Sequence, residues 1–291
     1  MRLVPLVLVS LCLPCCVLLF GETQDSNSSA RTEVRLLLSA SEVRLGSTVM
    51  AGVLFTMPEP WHIYWRNGGD AGQPPEIKWQ LPKGITAGPM QWPTPKKYPF
   101  AQVSAAYVYH REVMLMAQLR LAKNMPLGEK TIRAKVGWLE CNVGCVLGEK
   151  MVKASLIIGK RKLVSADALS IRDWQAKLPT TNPPEGLVAQ LADSGKTGMR
   201  ILRVELPVDE RHSYDFFPYL SEKYDIRAQT KTEMKFGRMM LFKQVEKIAD
   251  DLPIGIHGLL VETAIDKAVK AYEVKFRFQK QFKERGKAKK E

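Results

Sequence analysis

Thr131-Ile132-Arg133-Ala134-Lys135-Val136-Gly137-Trp138-Leu139-Glu140-Cys141-Asn142-Val143-Gly144-Cys145 is a strand pattern that runs straight into two cysteines. Ile132, Ala134, Val136 and Trp138 alternate with Arg133, Lys135 and Gly137, the two-residue period of a half-buried strand. Val152, Ala154, Leu156 and Ile158 continue the alternation beyond the cysteines. The pair therefore sits on a connection between two strands. The same period recurs on either side. Val34, Leu36 and Leu38 begin it, and Val49, Ala51, Val53 and Phe55 form one face of the next run. Ile77, Trp79 and Leu81 follow, and the clearest case is Val113, Leu115, Ala117, Leu119 and Leu121 against Met114, Met116, Gln118 and Arg120. Trp61-His62-Ile63-Tyr64-Trp65 precedes a stretch of turn formers, Asn67-Gly68-Gly69-Asp70-Ala71-Gly72-Gln73-Pro74-Pro75, which reads as a loop. At least seven short strands over residues 32–160, without a convincing helix, predict an all-β sandwich of antiparallel sheets.

Length extends this to two domains with two cores, since 291 residues exceed the usual single domain. Around residues 161–184 the period changes. Ser165 is the expected N-cap of a short helix carrying Leu169, Trp174 and Leu178, and Pro179 and Pro183-Pro184 end this linker. Alternation resumes with Leu202, Val204 and Leu206 and finishes with Tyr272, Val274, Phe276 and Phe278, so residues 185–280 read as a second, cysteine-free β-sandwich. Residues 1–21 read as a signal peptide, Arg2 followed by an almost wholly apolar run to Phe20, with an uncleaved anchor as the alternative. Export also argues against nucleic acid as the partner of a chain with net charge +13. The basic residues are mostly spread along alternating strands as a solvated face, apart from a basic tail, 281–291, able to touch an anionic envelope surface.

Cys12, Cys15 and Cys16 belong to the leader, which leaves Cys141 and Cys145. Gly144 is expected to permit the turn that brings the two sulfurs together. Three readings follow: a redox-active disulfide, a structural disulfide, or half of a metal site. A ring this small restrains the unfolded chain by only roughly 2 kcal/mol, a weak reason to staple, so reversible chemistry is favoured. Zinc normally takes four ligands, with paired cysteines two residues apart, and no second cysteine pair is present. Met90, Met114 and Met116, with His62 and His110 in reserve, suggest a copper-handling alternative, although Met114 and Met116 read more simply as packing. A non-redox interaction module with a static disulfide is the other alternative. Glu140, next to Cys141, is expected to disfavour a Cys141 thiolate. No cofactor site, phosphate loop, Ser/His/Asp array or paired-carboxylate motif is read from the sequence.

Trp61-His-Ile-Tyr-Trp-Arg-Asn-Gly-Gly-Asp-Ala-Gly72, Gln91-Trp92-Pro93-Thr94-Pro95 and Trp138-Leu-Glu-Cys-Asn-Val-Gly-Cys145 together resemble the exported N-terminal region of the DsbD/ScsB thiol:disulfide interchange proteins. Phe216-Phe217-Pro218 resembles the same region of the ScsB-like branch. The resemblance implies immunoglobulin-like sandwiches in the periplasm. Cys141 and Cys145 match the redox pair, with no bound cofactor, and Cys145 is the sulfur that bonds to a partner. The pair would take electrons from a membrane-embedded or thioredoxin-like reductase and pass them to exported disulfide proteins. A cap over the sulfurs is expected from Tyr98–Tyr109, with Phe100, Tyr107 and Tyr109 as its rings. Trp61, Tyr64, Trp138 and Glu140 are supporting residues within the matched blocks, and the second sandwich is expected to serve docking. Two departures stand out: DsbD itself has five residues between its cysteines where this chain has three, as ScsB-like proteins do, and the family's transmembrane and thioredoxin-like portions are not in this sequence.

Overall fold

A computed structural model describes residues 30–101, 104–207, 211–248 and 254–278; the expected leader and basic tail lie outside the described residues. The first half holds β1 (Glu33–Leu38), β2 (Ala40–Arg44), β3 (Thr48–Thr56), β4 (His62–Gly69), β5 (Glu76–Gln80), β6 (Ile85–Ala87), β7 (Lys96–Ala101), β8 (Ser104–His110), β9 (Glu112–Leu121), β10 (Gly128–Cys141), β11 (Cys145–Gly159) and β12 (Leu163–Val164). One sheet runs β1-β3-β9-β6, and the other runs β12-β2-β11-β10-β4-β8-β7 with β5 also paired to β10. Val53, Phe55, Leu115 and Leu119 of the first sheet meet Ile63, Trp65, Ile132, Val136 and Leu156 of the second in one core. Period-two alternation puts those residues on the inner faces, so the chain is an all-β, immunoglobulin-like fold as expected. One difference lies in the glycine-rich stretch. Asn67, Gly68 and Gly69 complete β4 rather than opening a loop, and Gly69 pairs with Ala106 across a break in register.

The single helix among the described residues, α1 (Ala168–Gln175), joins the halves. Asp167 rather than Ser165 is its N-cap, and no side chain caps it. The Ser165 hydroxyl instead donates to Leu38 O and accepts from Asp167 N, tying the linker to β1. Ile171, Trp174 and Leu178 are the face that packs; Leu169 points to solvent. Beneath them lie Leu37, Leu54, Met114 and Met116, on the outer face of the first sheet. The linker thus closes a face that alternation alone would leave wet.

The second half holds β13 (Val188–Asp193), β14 (Met199–Pro207), β15 (His212–Pro218), β16 (Tyr224–Ile226), β17 (Lys231–Lys235), β18 (Arg238–Lys247), β19 (Gly255–Ala264) and β20 (Val269–Arg277). One sheet runs β13-β14-β18-β16 with β17 on β18, and the other β15-β19-β20. Leu202, Val204, Leu241, Phe216, Leu260 and Phe276 fill its own core. The expected separation of two cores is incomplete, because Phe217, Ala228, Leu259 and Val261 join the core of the first half. Tyr107 and Phe217 stack with ring centroids 4.4 Å apart, and Trp65 meets Tyr219 at 5.6 Å.

Polar ties surround that contact. Asn67 Nδ2 donates to Pro218 O at 2.8 Å, and the Asp70 carboxylate accepts from Ala105 N at 2.9 Å and Ala228 N at 3.1 Å, one from each half. Gly69 stands at φ +81°, and a Cβ there would lie 2.7 Å from Ala105 O, so only glycine fits this approach. The buried Lys243 ammonium donates to Ala228 O, Arg227 O and the Tyr107 hydroxyl, with Asp215 3.8 Å away. Burial pulls its pKa down to about 7, against the opposing pull of Asp215. Lys97 on β7 reaches Asp215 at 2.8 Å. Shared core residues, ring contacts and these polar ties thus join the two halves. Replacing Asp70 with Ala should lower unfolding stability by about 1–3 kcal/mol, since two amides lose their acceptor; chemical denaturation followed by tryptophan fluorescence measures it.

Candidate functional site

β10 and β11 form a long hairpin whose last register pair is Cys141 opposite Cys145, bonded to each other, with Asn142, Val143 and Gly144 at the tip. Asn142 N donates to Gly144 O at 2.9 Å. Gly144 does not use a positive φ, and a Cβ on it would touch nothing within 4 Å, so the turn does not depend on glycine there as expected. The two sulfur-bearing residues differ sharply in access: Cys141 is 3% exposed, whereas Cys145 and the tip face solvent.

Register determines what surrounds the pair. Cys141 is opposite His62 on β4, and His62 is opposite His110 on β8, so Cys145, Cys141, His62 and His110 stand in one row across four adjacent strands on the outer face of the larger sheet. Tyr64 and Val108, and then Ala106 and Tyr98, form the next pairs on that face. Cys141 packs with Tyr64, Ala106, Val108 and Leu139. The His62 ring lies 5.4 Å from Tyr64, 5.4 Å from Tyr98 and 5.5 Å from His110. Gly72 allows the Tyr64 ring its place: a Cβ on Gly72 would fall 2.1 Å from the ring, and its φ is +90°. Burial, and then the neighbouring His110, pull the His62 pKa down to about 4, so its imidazole is neutral at pH 7. Burial and then Lys96 lower His110 as well, against Glu59. Burial raises the Tyr64 hydroxyl.

Glu140 is not beside the Cys141 sulfur, because successive side chains of a strand point to opposite faces. Its fully buried carboxylate turns inward, accepting from Arg31 N at 2.5 Å, Thr32 N at 2.9 Å and Trp138 Nε1 at 3.0 Å. Burial raises this carboxyl, but the three hydrogen bonds prevail and hold it below the usual range. Trp138 meets Phe55 edge-on at 6.1 Å, and Trp61 receives the Arg31 guanidinium 5.3 Å from its ring centroid. These supporting residues clamp the segment preceding β1 against the hairpin, so Glu140, expected beside the Cys141 sulfur, faces the interior instead.

The expected cap is also redrawn. Tyr107 and Tyr109 occupy the inner face of β8, buried in the core, with the Tyr109 hydroxyl donating to Pro93 O at 2.6 Å. They cannot cover sulfurs on the other face. Tyr98 shares that face, and Phe100, two residues on along β7, is half exposed. Met114 and Met116 lie beneath α1 on the opposite sheet, and Met90 packs against the first core, which removes the thioether donors from any copper site at the thiols. Among the described residues no group of three or more His, Cys, Asp or Glu side chains is arranged to hold a metal ion, and no helix is long and apolar enough to cross a membrane. The row of histidines was missed because no local motif marks it; it exists only once β4 is registered between β10 and β8.

Fold and site define an immunoglobulin-like, all-β protein with a disulfide at a hairpin tip, half buried under a histidine–tyrosine cluster. Residues 35–156 match the family model of thiol:disulfide interchange protein DsbD, N-terminal, so the resemblance carried by the Trp61–Gly72 block and the cysteine loop holds across the first sandwich. The crystal structure of the N-terminal periplasmic domain of ScsB from Proteus mirabilis is similar to 87% of this chain and 96% of its own, with a TM-score of 0.61 at 16% identity, a likeness of fold. No curated protein matches the chain.

The Glu140 geometry has a measurable consequence. Its folded pKa lies below the unfolded value near 4.5, so the unfolded chain binds more protons as the pH falls. The stability it contributes is present above pH 4.5 and is lost as the pH drops through the folded pKa. Unfolding midpoints between pH 6 and pH 3 should therefore fall more steeply for the parent than for Glu140→Gln, which should already be the less stable protein at pH 6.

Proposed function

We propose that this is an exported thiol-disulfide exchange protein of the periplasm, relaying electrons through Cys141–Cys145 from a membrane-embedded or thioredoxin-like reductase to exported disulfide proteins. The observation that carries the reading is the asymmetry of the pair. An exposed Cys145 at a hairpin tip can be approached by a partner's thiolate, while a buried Cys141 is reserved for the second step. Attack at Cys145 leaves the displaced electron pair on Cys141, and the reverse sequence lets Cys141 resolve a mixed disulfide and release the partner. The match to the DsbD N-terminal family supports thiol reductases and disulfide proteins as partners in general. The second sandwich serves this reading by fixing β7, through Lys97 and Asp215, beside the site. A static disulfide would instead have a reduction potential below about −300 mV, which a redox titration distinguishes.

The direct test is capture of partners from the native envelope. Cys141→Ala should accumulate mixed disulfides through Cys145, and Cys145→Ala should not; adducts formed only by Cys141 would reverse the assignment, and none from either variant would favour the static module. A second test concerns shielding in an oxidising compartment. Replacing Tyr98 and Phe100 with Ala should speed oxidation of the reduced pair by a small oxidant about tenfold, equivalent to roughly 1.4 kcal/mol. Tyr107→Phe should leave that rate unchanged.

A further inference from the structure

Breaking the Cys141–Cys145 bond creates a charge where water cannot reach it. Cys141 is 3% exposed, and of the residues it packs with, Val108, Ala106 and Leu139 carry no side-chain donor and Tyr64 carries a single hydroxyl. An unsolvated thiolate is strongly disfavoured unless a donor faces it. His62 is placed to be that donor. It is the register partner of Cys141, on the same face of an adjacent strand, where paired Cβ atoms lie roughly 5 Å apart. It is itself 6% exposed, and its ring is wedged by Tyr64, Tyr98 and His110, so it is held in place rather than left to wander in solvent.

We propose that His62 is the proton partner of Cys141 in exchange, with His110 as its link to solvent. The proposal rests on the exchange reading above for its purpose, but its chemistry is a property of the purified chain. In the reducing direction a partner thiolate attacks Cys145 Sγ. A new S–S bond forms between them, the Cys141–Cys145 bond breaks, and its electron pair leaves on Cys141 Sγ. The His62 N–H donates to that thiolate, and the new negative charge draws a solvent proton through His110 onto the imidazole. The partner's second thiolate then attacks its own half of the mixed disulfide and releases Cys145 as a thiolate. The chain gains two electrons and, on protonation, two protons; the partner ends as a disulfide. In the delivering direction the same imidazole takes the proton from Cys141 when that thiol resolves a mixed disulfide.

The groups facing His62 agree with this. They are Cys141 from β10, His110 from β8, Tyr98 and Lys96 from β7, and Tyr64 on its own strand, with Glu59 beyond His110, paired to Arg111. None of them places a carboxylate against the imidazole in the disulfide form. The ring therefore stays neutral until the thiolate appears, which couples its protonation to bond cleavage.

The test uses the full chain carrying Cys145→Ala, in which alkylation at Cys141 is followed against pH by peptide mass spectrometry. Adding His62→Phe, which keeps a ring in the cluster, should raise the apparent pKa of Cys141 by about one unit or more, a tenfold loss of thiolate below it. His62→Gln, which restores an N–H donor, should recover part of that loss, a response that a purely structural ring would not give. With both cysteines present, reduction by dithiothreitol at pH 7 should slow about tenfold in His62→Phe and less in His110→Gln. A Cys141 pKa unchanged between parent and His62→Phe overturns the proposal. If the pKa shifts while no protein partner is ever trapped on Cys145, the pairing stands and the exchange reading is what fails.

Discussion

The site depends on the phase of two neighbouring strands. Side chains of β4 and β10 alternate between a dry interior and an outer face, and the register Cys141 with His62 and Glu140 with Ile63 determines which residue belongs to which. A slip of one residue would turn Glu140 out and Cys141 in. The buried carboxylate opposes that slip, because its three hydrogen bonds, two of them to the backbone of residues 31 and 32, can be made only from the inner face. Glu140 therefore ties the phase of β10 to the segment that precedes β1.

β4 serves two sites at once. Its outward residues His62 and Tyr64 border the disulfide, while Trp65, Asn67 and, just beyond its end, Asp70 hold the second half. That division explains why one short block with two tryptophans, three glycines and an aspartate is such a dense signature. The second sandwich shares core residues with the first and so contributes to the shape of the half that carries the disulfide.

Much of this was legible in the sequence because it rests on period two. The inner faces of β1, β3, β9, β10 and β11 are the alternating residues themselves, and the cysteines fall on the connection where the pattern stops. What could not be read depends on pairing between distant strands. His62 and His110 look like isolated histidines until β4 lies between β10 and β8. Tyr107 and Tyr109 look like cap rings until the parity of β8 turns them inward, Tyr107 against Phe217 and Tyr109 onto Pro93. Met114 and Met116 occupy the polar phase of their strand and yet are covered, because α1 lies over them. Adjacency in sequence misled most at Glu140, where the next residue along is the one facing away.

Among the described residues the larger sheet ends at β7, which pairs on one side only, with β8. Its free side is an invitation to strand addition, the route by which sheets of separate molecules fuse. β7 carries Lys96, a cation that resists a like edge, and Pro99, a residue without an amide hydrogen to offer, while Lys97 is paired with Asp215. Cys145 lies four strands away, on β11 of the same sheet, so the guarded edge and the exposed sulfur are separate features of one surface.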